Sequence, residues 1–350
     1  MADRPAALAA PVLMRVLVTG HRGYIGAILV PRLLAAGHTV VGLDARWFDG
    51  GTPAAAVEDR HGDVRDVEPS DLAGIDAVIH LAALSNDVLG EIDPATTMSI
   101  NHGATVRLAE IARAAGVERF LFASTCSVYG PAGDAPVTED ATPQPLTSYA
   151  LAKTLAERDL VAMADARFVP VLLRAATVHG ASPALRLDLV LNNLVAWAVA
   201  TGEARLQTDG SPRRPLVHVA DLADTYVALL DAPADAVRGL PVNVGSDREN
   251  HRVRDIAALA AAQVPGGRLV VPPMAGGDAR SYVVAFDRLR RILPGLRFDR
   301  GAAAGAAEIA DHCRRAPVRA EDIDGPRYRR LGRLRALIET GRLDTTFRRR

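Results

Sequence analysis

The sequence predicts an α/β protein in which helices cover both faces of a doubly wound parallel sheet, with a smaller C-terminal lobe. In the first half of the 350-residue chain, short apolar and β-branched runs alternate with longer segments of helical periodicity. This alternation is typical of parallel strands joined by right-handed helical crossovers. After Ser182 it loosens. We therefore predict the main domain at residues 14–182 and the lobe mainly at 183–316, with some segments returning to the main sheet.

The predicted strands and helices follow one another in a regular order. A buried strand at residues 16–18 leads into a glycine-rich loop and a helix that ends near Ala36, before Gly37. Further strands are predicted at residues 38–43, 77–81, 120–123 and 169–173, and helices at residues 101–115 and 149–164. In the lobe, residues 185–201 and 253–263 have the periodicity of long amphipathic helices.

Composition and charge exclude several classes of protein. Hydrophobic residues make up 49% of the chain and charged residues 23%, which is enough apolar material for a substantial core. The formal net charge is zero, so no overall field attracts nucleic acid or an anionic membrane. No apolar run is long enough to span a bilayer. The two cysteines, Cys126 and Cys313, lack metal-ligand spacing, so we expect no disulfide, no metal site and a reducing, cytoplasmic location.

The two ends of the chain are set apart by their composition. Residues 1–13 are rich in alanine and proline, and we predict a flexible extension rather than a processed signal. Residues 317–350 form an Arg-rich segment that includes Arg329, Arg330, Arg333 and Arg335. The interpretation we favour for this segment is a solvated helix face or tail, and a phosphate-binding role is the alternative.

A glycine-rich loop follows the first strand and opens the first helix. Gly20, Gly23 and Gly26 are each three residues apart, and in this strand–loop–helix context the spacing predicts a Rossmann-type site for a dinucleotide pyrophosphate. Glycine allows a tight turn and a close approach of the backbone, while the amide groups and dipole at the helix N-terminus face the negative charge. The other loop residues predicted to contact the cofactor are Arg22, Tyr24 and Ile25.

Asp44, at the end of the second strand, predicts which cofactor binds. It stands 18 residues after Gly26. A carboxylate at this place accepts hydrogen bonds from the adenosine ribose and repels a 2′-phosphate, which favours NAD over NADP. Arg22 and Arg46 leave the alternative open, because an arginine near the ribose could pair with that phosphate.

Tyr149 and Lys153 form a candidate acid–base pair. They lie four residues apart on one predicted helix, so their side chains share a face. A free tyrosine has a pKa of about 10 and is a poor base at neutral pH. A neighbouring ammonium group and the positive nicotinamide ring both favour the tyrosinate. Tyr149 could then take a proton from a substrate hydroxyl while a hydride passes to the cofactor.

Further motifs are spread over residues 15–296. They are Thr19-Gly20-x-x-Gly23-x-x-Gly26, Gly62-Asp63-Val64, His80-Leu81-Ala82-Ala83, Ser124-Thr125-Cys126-Ser127-Val128-Tyr129-Gly130, Tyr149-x-x-x-Lys153 and Arg214-Pro-Leu-Val-His218-Val-Ala-Asp221. With these motifs the sequence resembles the extended short-chain dehydrogenase/reductase family, in the branch of NAD-dependent nucleotide-sugar epimerases and dehydratases.

The resemblance implies roles for individual residues. Thr125 occupies the place of the catalytic Ser or Thr, whose hydroxyl would bind the sugar oxygen that Tyr149 deprotonates, and Lys153 would also hold the nicotinamide ribose. The implied cofactor contacts are Asp63 and Val64 beside the adenine, and Leu81, Ala82 and Ala83 along the cleft. The implied contacts to a nucleotide-diphosphate sugar in the substrate-binding lobe and cleft are Ser85, Thr177, Asn193, Arg214 and Arg280. The resemblance also implies a homodimer, joined through the helices at residues 101–115 and 149–164.

The residues after Thr125 favour one reaction of this branch. In its 4,6-dehydratases Asp and Glu follow this threonine, whereas Cys126 and Ser127 stand there in this sequence. We therefore predict epimerisation of a nucleotide-diphosphate sugar at C4, through a transient 4-keto intermediate. The alternatives are a net dehydrogenase or reductase, a dehydratase, a decarboxylase, and a C3 or C5 epimerase in which the Cys126 thiol moves a proton. A non-catalytic NAD(P)-sensing protein is the hypothesis from a different class.

Overall fold

The computed structural model describes residues 12–48, 50–51, 53–85, 93–272 and 281–350. Its centre is a seven-stranded parallel sheet with the predicted doubly wound arrangement. In chain order the strands are β1 (Arg15–Thr19), β2 (Thr39–Asp44), β3 (Val57–His61), β4 (Ala77–His80), β5 (Arg119–Thr125), β6 (Gly133–Val137), β7 (Val169–Ala175), β8 (Thr177–His179), β9 (Glu203–Arg205), β10 (Arg213–His218), β11 (Leu240–Val244), β12 (Asn250–Arg252), β13 (Arg268–Val270) and β14 (Tyr282–Val284). The main sheet has the order β11-β7-β5-β4-β1-β2-β3 and is parallel throughout.

Helices cover both faces of this sheet. In chain order the helices of the described residues are α1 (Gly26–Ala35), α2 (Pro94–Met98), α3 (Ala104–Ala114), α4 (Ser148–Met163), α5 (Val190–Thr201), α6 (Val219–Leu230), α7 (Ala234–Val237), α8 (Val253–Ala261), α9 (Asp287–Ile292), α10 (Ala302–Arg315), α11 (Ala320–Ile323) and α12 (Arg330–Glu339), of which α1 and α6 lie on one face of the sheet and α3 and α4 on the other. In β1, Val16 and Val18 face the apolar layer under α1 and α6, and Leu17 faces the layer under α3 and α4. Successive side chains of a strand point to opposite faces, which explains the continuous apolar run.

Two of the elements that differ from the sequence-based expectation bear on the pocket. The pattern does not predict β3, because its sequence Val-Glu-Asp-Arg-His is mostly polar, as suits an edge strand that pairs only with β2. The helix expected at residues 185–201 begins only at Val190. The residues before it form a loop that holds Arg186 and Asp188 in a buried ion pair.

The second lobe has its own apolar core. Buried residues of α5, α8 and α10 pack together there, beside a three-stranded sheet of order β12-β10-β8. One later segment belongs to the main sheet, where β11 pairs with β7. Cys126 and Cys313 are buried and unpaired. Among the described residues, no helix combines the length and apolarity that crossing a membrane requires.

The Arg-rich C-terminal segment packs into the core through its apolar side chains, so the expectation of a solvated tail is wrong, whereas exposed residues such as Arg335 do form a solvated helix face. Leu334, Leu337, Leu343 and Phe347 are buried in the same apolar layer as Leu17. These apolar side chains recur between arginines along α12 and the residues after it. The number of arginines hides this amphipathic pattern in the sequence.

Replacing Phe347 by Ala tests whether this segment belongs to the core. Phe347 is 1% exposed, so we expect its truncation to lower the free energy of unfolding by about 3 kcal/mol, through lost burial and a residual cavity. Urea denaturation of the NAD-free protein measures this change. The control is Arg335→Ala, because Arg335 is exposed on α12. Equal stability of the two variants would contradict the packing described here.

Candidate active site and cofactor pocket

A pocket opens at the carboxyl ends of the central strands, where the strand order reverses between β1 and β4. Open parallel sheets bind ligands at such a switch point. Many of the predicted cofactor and substrate residues line this pocket: Gly20, Gly23, Tyr24, Ile25, Gly26, Asp44, Asp63, Val64, Leu81, Ala82, Ala83 and Ser85. The pocket thus gathers residues from four segments that are far apart in the sequence.

The glycine-rich loop has the geometry that a bound pyrophosphate requires. Gly20 has a φ of +72°, and a Cβ atom there would lie 2.9 Å from the backbone nitrogen of Ala82. A Cβ atom on Gly26 would lie 2.5 Å from the carbonyl oxygen of Gly20. Both positions exclude a side chain. The residues present therefore fit a dinucleotide that lies against the loop and the N-terminus of α1.

Asp44 lines the pocket, but Arg22 and Arg46 are paired elsewhere. The Asp44 carboxylate accepts hydrogen bonds from the backbone amides of Arg22 and Arg46, at 3.1 and 2.7 Å. The two guanidinium groups instead contact Asp59, at 3.1 and 2.8 Å. Asp59 lies on the unpredicted strand β3, and the sequence pattern gave no sign of it. Both guanidinium groups are thus engaged by one carboxylate, which offsets one of their two positive charges and leaves them less available to a 2′-phosphate, and this favours NAD.

Tyr24 ties the glycine-rich loop to the second lobe. Its hydroxyl donates to the carbonyl oxygen of Gly180 at 2.6 Å and accepts from the side-chain amide of Asn192 at 3.1 Å. Burial raises the pKa of Tyr24 above its usual value, so this group stays protonated and can donate. The predicted substrate residue Asn193 donates to the carbonyl of Leu187 at 2.8 Å. The neighbouring side chains of Asn192 and Asn193 on α5 therefore hold Tyr24 and the loop before α5, respectively.

Tyr149 and Lys153 lie one turn apart on α4, as predicted. Tyr149 is 8% exposed and Lys153 is 2% exposed. The Lys153 ammonium donates to the carbonyl oxygen of Ala123 at 2.7 Å and lies 4.5 Å from the ring centre of Phe122. Burial lowers the pKa of Lys153 to about 7, against the opposing charge of Glu157. Lys153 is also the only lysine in the chain.

Thr125 lies at the carboxyl end of β5, beside the start of the turn Cys126–Tyr129. Its side-chain oxygen accepts a hydrogen bond from the amide of Ser127 at 3.1 Å. A hydroxyl group has one proton to donate, and this bond does not use it. The position therefore suits the predicted hydrogen bond from Thr125 to a sugar oxygen.

The placement of Cys126 does not support its predicted role in proton transfer. The thiol is 1% exposed and donates to the carbonyl oxygen of Arg174 at 3.2 Å. It packs in the apolar layer beneath the sheet, and burial raises the pKa of Cys126 well above its usual value. A thiol that is buried and protonated in this way is inert as a base.

A buried ion pair behind the active site was not foreseen from the sequence. Glu157, one turn after Lys153 on α4, forms a two-pronged pair with Arg174 of β7, with contacts of 2.7 to 3.1 Å. The hydroxyl of Ser124 donates to the same carboxylate, and Arg174 also donates to the Tyr129 hydroxyl at 3.1 Å. This network locks α4 to β5 and β7, the two strands behind Lys153. The sequence held one sign of this network: Glu157 lies four residues after Lys153, and residues at this spacing share a helix face.

The remaining predicted substrate residues lie in the second lobe. Thr177 is half-buried in β8, and Arg214 is half-buried in β10, with its guanidinium carbon 5.6 Å from the ring centre of Tyr282. Arg280 lies outside the described residues. Ser85 instead accepts a hydrogen bond from Arg186 at 2.9 Å. Arg186 lines the pocket and forms a two-pronged pair with Asp188; both were hidden by the helix predicted there.

The fold and this set of residues define an NAD-dependent enzyme of the short-chain dehydrogenase/reductase class. The chain belongs to the NAD dependent epimerase/dehydratase family, whose model matches residues 16–245. This confirms the predicted family and its cofactor.

Individual relatives agree with this assignment. The chain is 32% identical over 298 residues to the UDP-glucose 4-epimerase of Mycolicibacterium smegmatis, which covers 80% of this chain and 92% of that protein. The solved structure of MoeE5 in complex with UDP-glucuronic acid and NAD is 30% identical, covers 86% of this chain and 99% of its own, and has a TM-score of 0.74. TunA, an NAD-dependent NDP-hexosamine 5,6-dehydratase of tunicamycin biosynthesis, is 25% identical, with coverages of 85% and 96% and a TM-score of 0.76.

The pKa of Lys153 can be measured directly because no other lysine is present. Protein labelled with lysine that carries 13C at Cε alone should give one lysine NMR signal, and in the NAD-free protein we expect it to titrate with a pKa of about 7, because the ammonium group is buried. A signal that titrates near pH 10.4, the value of a free lysine, would contradict the described burial.

The Glu157→Gln variant should lower that pKa further. The substitution removes the negative charge that opposes the effect of burial on Lys153 and leaves the charge of Arg174 unpaired nearby. The control is Glu110→Gln, because Glu110 is exposed on α3 and should leave the Lys153 signal unchanged.

Proposed function

We propose that this enzyme inverts the configuration at C4 of a nucleotide-diphosphate sugar, using NAD without net consumption. The observation that carries the proposal is the joint placement of Thr125, Tyr149 and Lys153 at the end of β5 and on α4. The family and the UDP-glucose 4-epimerase relative support a nucleotide-sugar epimerase in general. The choice of C4 rests on these three residues and on what is missing beside them.

Each of the three residues has a distinct task in the proposed reaction. Tyr149 removes the proton from the C4 hydroxyl, and the ammonium group of Lys153 stabilises the phenolate that makes this possible. Thr125 donates its free hydroxyl proton to the same sugar oxygen. When bound, NAD supplies the chemistry of taking the hydrogen from C4 and giving it back. After the keto sugar has rotated in the pocket and presents its other face, Tyr149 returns the proton to the C4 oxygen.

The groups beside Thr125 disfavour the other reactions. Dehydration across C5 and C6 requires an acid and a base next to the ketone, and neither Cys126 nor Ser127 carries a carboxyl group. Epimerisation at C3 or C5 by a thiol requires an accessible sulfur atom, whereas Cys126 faces the core. A net dehydrogenase, reductase or decarboxylase remains the second candidate, and MoeE5, which was solved with UDP-glucuronic acid, makes a sugar acid a necessary test substrate.

A homodimer through α3 and α4 remains a prediction. Leu151 and Val161 on α4 are 43% and 44% exposed, which suits a helix surface that a second copy would cover.

A panel of nucleotide sugars tests the proposed reaction. UDP-, GDP-, CDP-, ADP- and TDP-hexoses and UDP-glucuronic acid should be incubated with the enzyme and followed by NMR, together with the absorbance of NADH. We expect one substrate to form its C4 epimer without a steady change in NADH. Tyr149→Phe should slow this conversion by about a hundredfold or more, because it removes the acid–base group. Steady formation or loss of NADH would instead favour a net dehydrogenase or reductase, and loss of CO₂ a decarboxylase.

The Cys126→Ala variant separates the C4 mechanism from the thiol mechanism. The thiol contacts only the core and the Arg174 carbonyl, so we expect turnover within about twofold of the original enzyme. Epimerisation in deuterium oxide supplies the second readout: a C4 epimerase returns the original hydrogen and incorporates no deuterium on carbon. Loss of activity in Cys126→Ala together with deuterium at C3 or C5 would overturn the C4 assignment.

A further inference from the structure

A cluster of histidine and glutamate side chains lies under the turn that receives the Tyr24 hydroxyl group. Its centre is His179, the last residue of β8, which stands beside His218, the last residue of β10, in the parallel pairing of these strands. The two imidazole rings lie edge to face, with their centres 5.2 Å apart. Helix α10 covers them closely, because a Cβ atom on Gly305 would lie 2.2 Å from the Nδ1 atom of His179. The proposed catalytic steps use neither histidine.

His179 is buried in a place that offers its ring no hydrogen bond. It is 1% exposed, and neither ring nitrogen has a hydrogen-bond partner among the described residues. Two carboxylates in its surroundings already hold other histidines. Glu308 of α10 contacts His218 at 2.6 Å, and Glu249 contacts His251 of β12 at 2.9 Å. A charged ring would therefore be a buried cation without a partner, which is costly. Burial and the neighbouring His218 lower the pKa of His179 to about 3, although the two glutamates oppose this shift.

His218 is fixed in a neutral form by its two hydrogen bonds. Its Nδ1 atom accepts from the backbone amide of Ala220 at 3.1 Å and thereby caps the N-terminus of α6. The proton of the neutral ring is then on Nε2, which donates to Glu308. A second proton on this ring would displace the amide of Ala220. The carboxylate on α6 that lies near this ring, Asp221, is itself paired with Arg300.

The turn that follows β8 connects this cluster to the glycine-rich loop. A Cβ atom on Gly180 would lie 2.6 Å from the Nε2 atom of His218, so the turn rests directly on the imidazole ring. The carbonyl oxygen of Gly180 accepts the Tyr24 hydroxyl at 2.6 Å, and the Ser182 hydroxyl donates to the carbonyl oxygen of Tyr24 at 2.8 Å. The amide of Gly180 donates to Asn192 at 3.2 Å. Since Tyr24 lines the cofactor pocket, a displaced turn would release a residue of the pocket wall.

We propose that His179, His218 and the turn at residues 180–182 form an acid-sensitive latch, which holds the glycine-rich loop closed over the cofactor only while both rings are neutral. Acid favours an opened form in which His179 reaches solvent and takes up a proton. Because the closed form resists this proton, its stability is complete above about pH 6.5, the ordinary pKa of histidine, and decreases as the pH falls from there towards 3. The proposal rests on NAD binding and not on the carbon at which a sugar is epimerised.

The rate at which the cofactor leaves the protein tests the proposal. Protein loaded with NADH is mixed with an excess of NAD, and the loss of NADH fluorescence gives the release rate at about pH 7.5 and about pH 5. One histidine with an ordinary pKa of about 6.5 in the opened form favours that form by up to about thirtyfold over this range. We expect release to accelerate by a similar factor. His179→Phe, whose ring takes up no proton, should lose most of this acceleration.

Two further variants locate the effect. Tyr24→Phe lacks the hydroxyl group that contacts Gly180, so its release of NADH should be faster at about pH 7.5 and less sensitive to acid. His102→Gln is the matched control, because His102 pairs with Asp159 of α4 and not with the cluster. This control should keep the full acid response. Other groups that titrate in this range, such as Lys153, are common to all the proteins compared.

Amide exchange supplies a readout that needs no variant. The amide of Gly180 donates to Asn192, and its protection, corrected for the intrinsic exchange rate, should fall between about pH 7.5 and about pH 5. The amide of Phe122 in the centre of β5 should stay protected. Equal acid responses of the original protein and His179→Phe would overturn the proposal, and so would unchanged protection of Gly180. A histidine with a purely structural role would lower the urea midpoint in acid and leave the release rate unchanged.

Discussion

The buried ammonium group of Lys153 is the constraint on which the active site depends. Removing a charge from water is costly unless other groups replace its hydration. Here the Ala123 carbonyl, the face of Phe122 and the field of Glu157 do so only in part, because the pKa of Lys153 still falls to about 7. Arginine could not take this place, because its pKa stays above 12 and does not respond to burial as that of lysine does. We attribute to this difference the survival of one lysine in a chain whose other Lys/Arg side chains are all arginine.

The network behind Lys153 also sets the charge that Tyr149 experiences. Glu157 and Arg174 form a closed pair, so the protonated Lys153 leaves one net positive charge in the group. A positive charge beside Tyr149 favours its phenolate form. If Glu157 were unpaired, it would cancel this effect, and if Arg174 were unpaired, it would expel the proton from Lys153. The ion pair therefore adjusts the acid–base pair without touching a substrate, while it anchors α4 to the sheet.

The parts of the molecule that follow from local sequence patterns, such as residue spacing and periodicity, could be predicted. The segment from β1 to α1 combines a regular pattern of apolar residues with a fixed spacing of its glycines. Tyr149 and Lys153 lie four residues apart on one helix, so their shared face could also be predicted. The features that escaped prediction depend on contacts between distant segments. Asp59 is on a polar edge strand, and the Arg186–Asp188 pair lies in a loop whose apolar neighbours imitate a helix. The direction in which Cys126 points depends on the turn that Thr125 caps.

The Arg-rich C-terminal segment was mispredicted for the same reason. Its many arginines suggest exposure to solvent, but the leucines and Phe347 between them bury the segment against the core and against Trp47, on the loop after β2. A C4 epimerase oxidises each sugar and reduces it again with the same cofactor molecule, so exchange of the cofactor brings no benefit. The reaction fails when NADH dissociates before the keto sugar has rotated. Slow release of the cofactor is therefore a requirement of the proposed reaction. The contacts of Arg65 with Thr346 and of Arg333 with Trp47 join the C-terminal residues to two loops whose residues line the pocket, so the wall of the pocket includes a segment far away in the sequence.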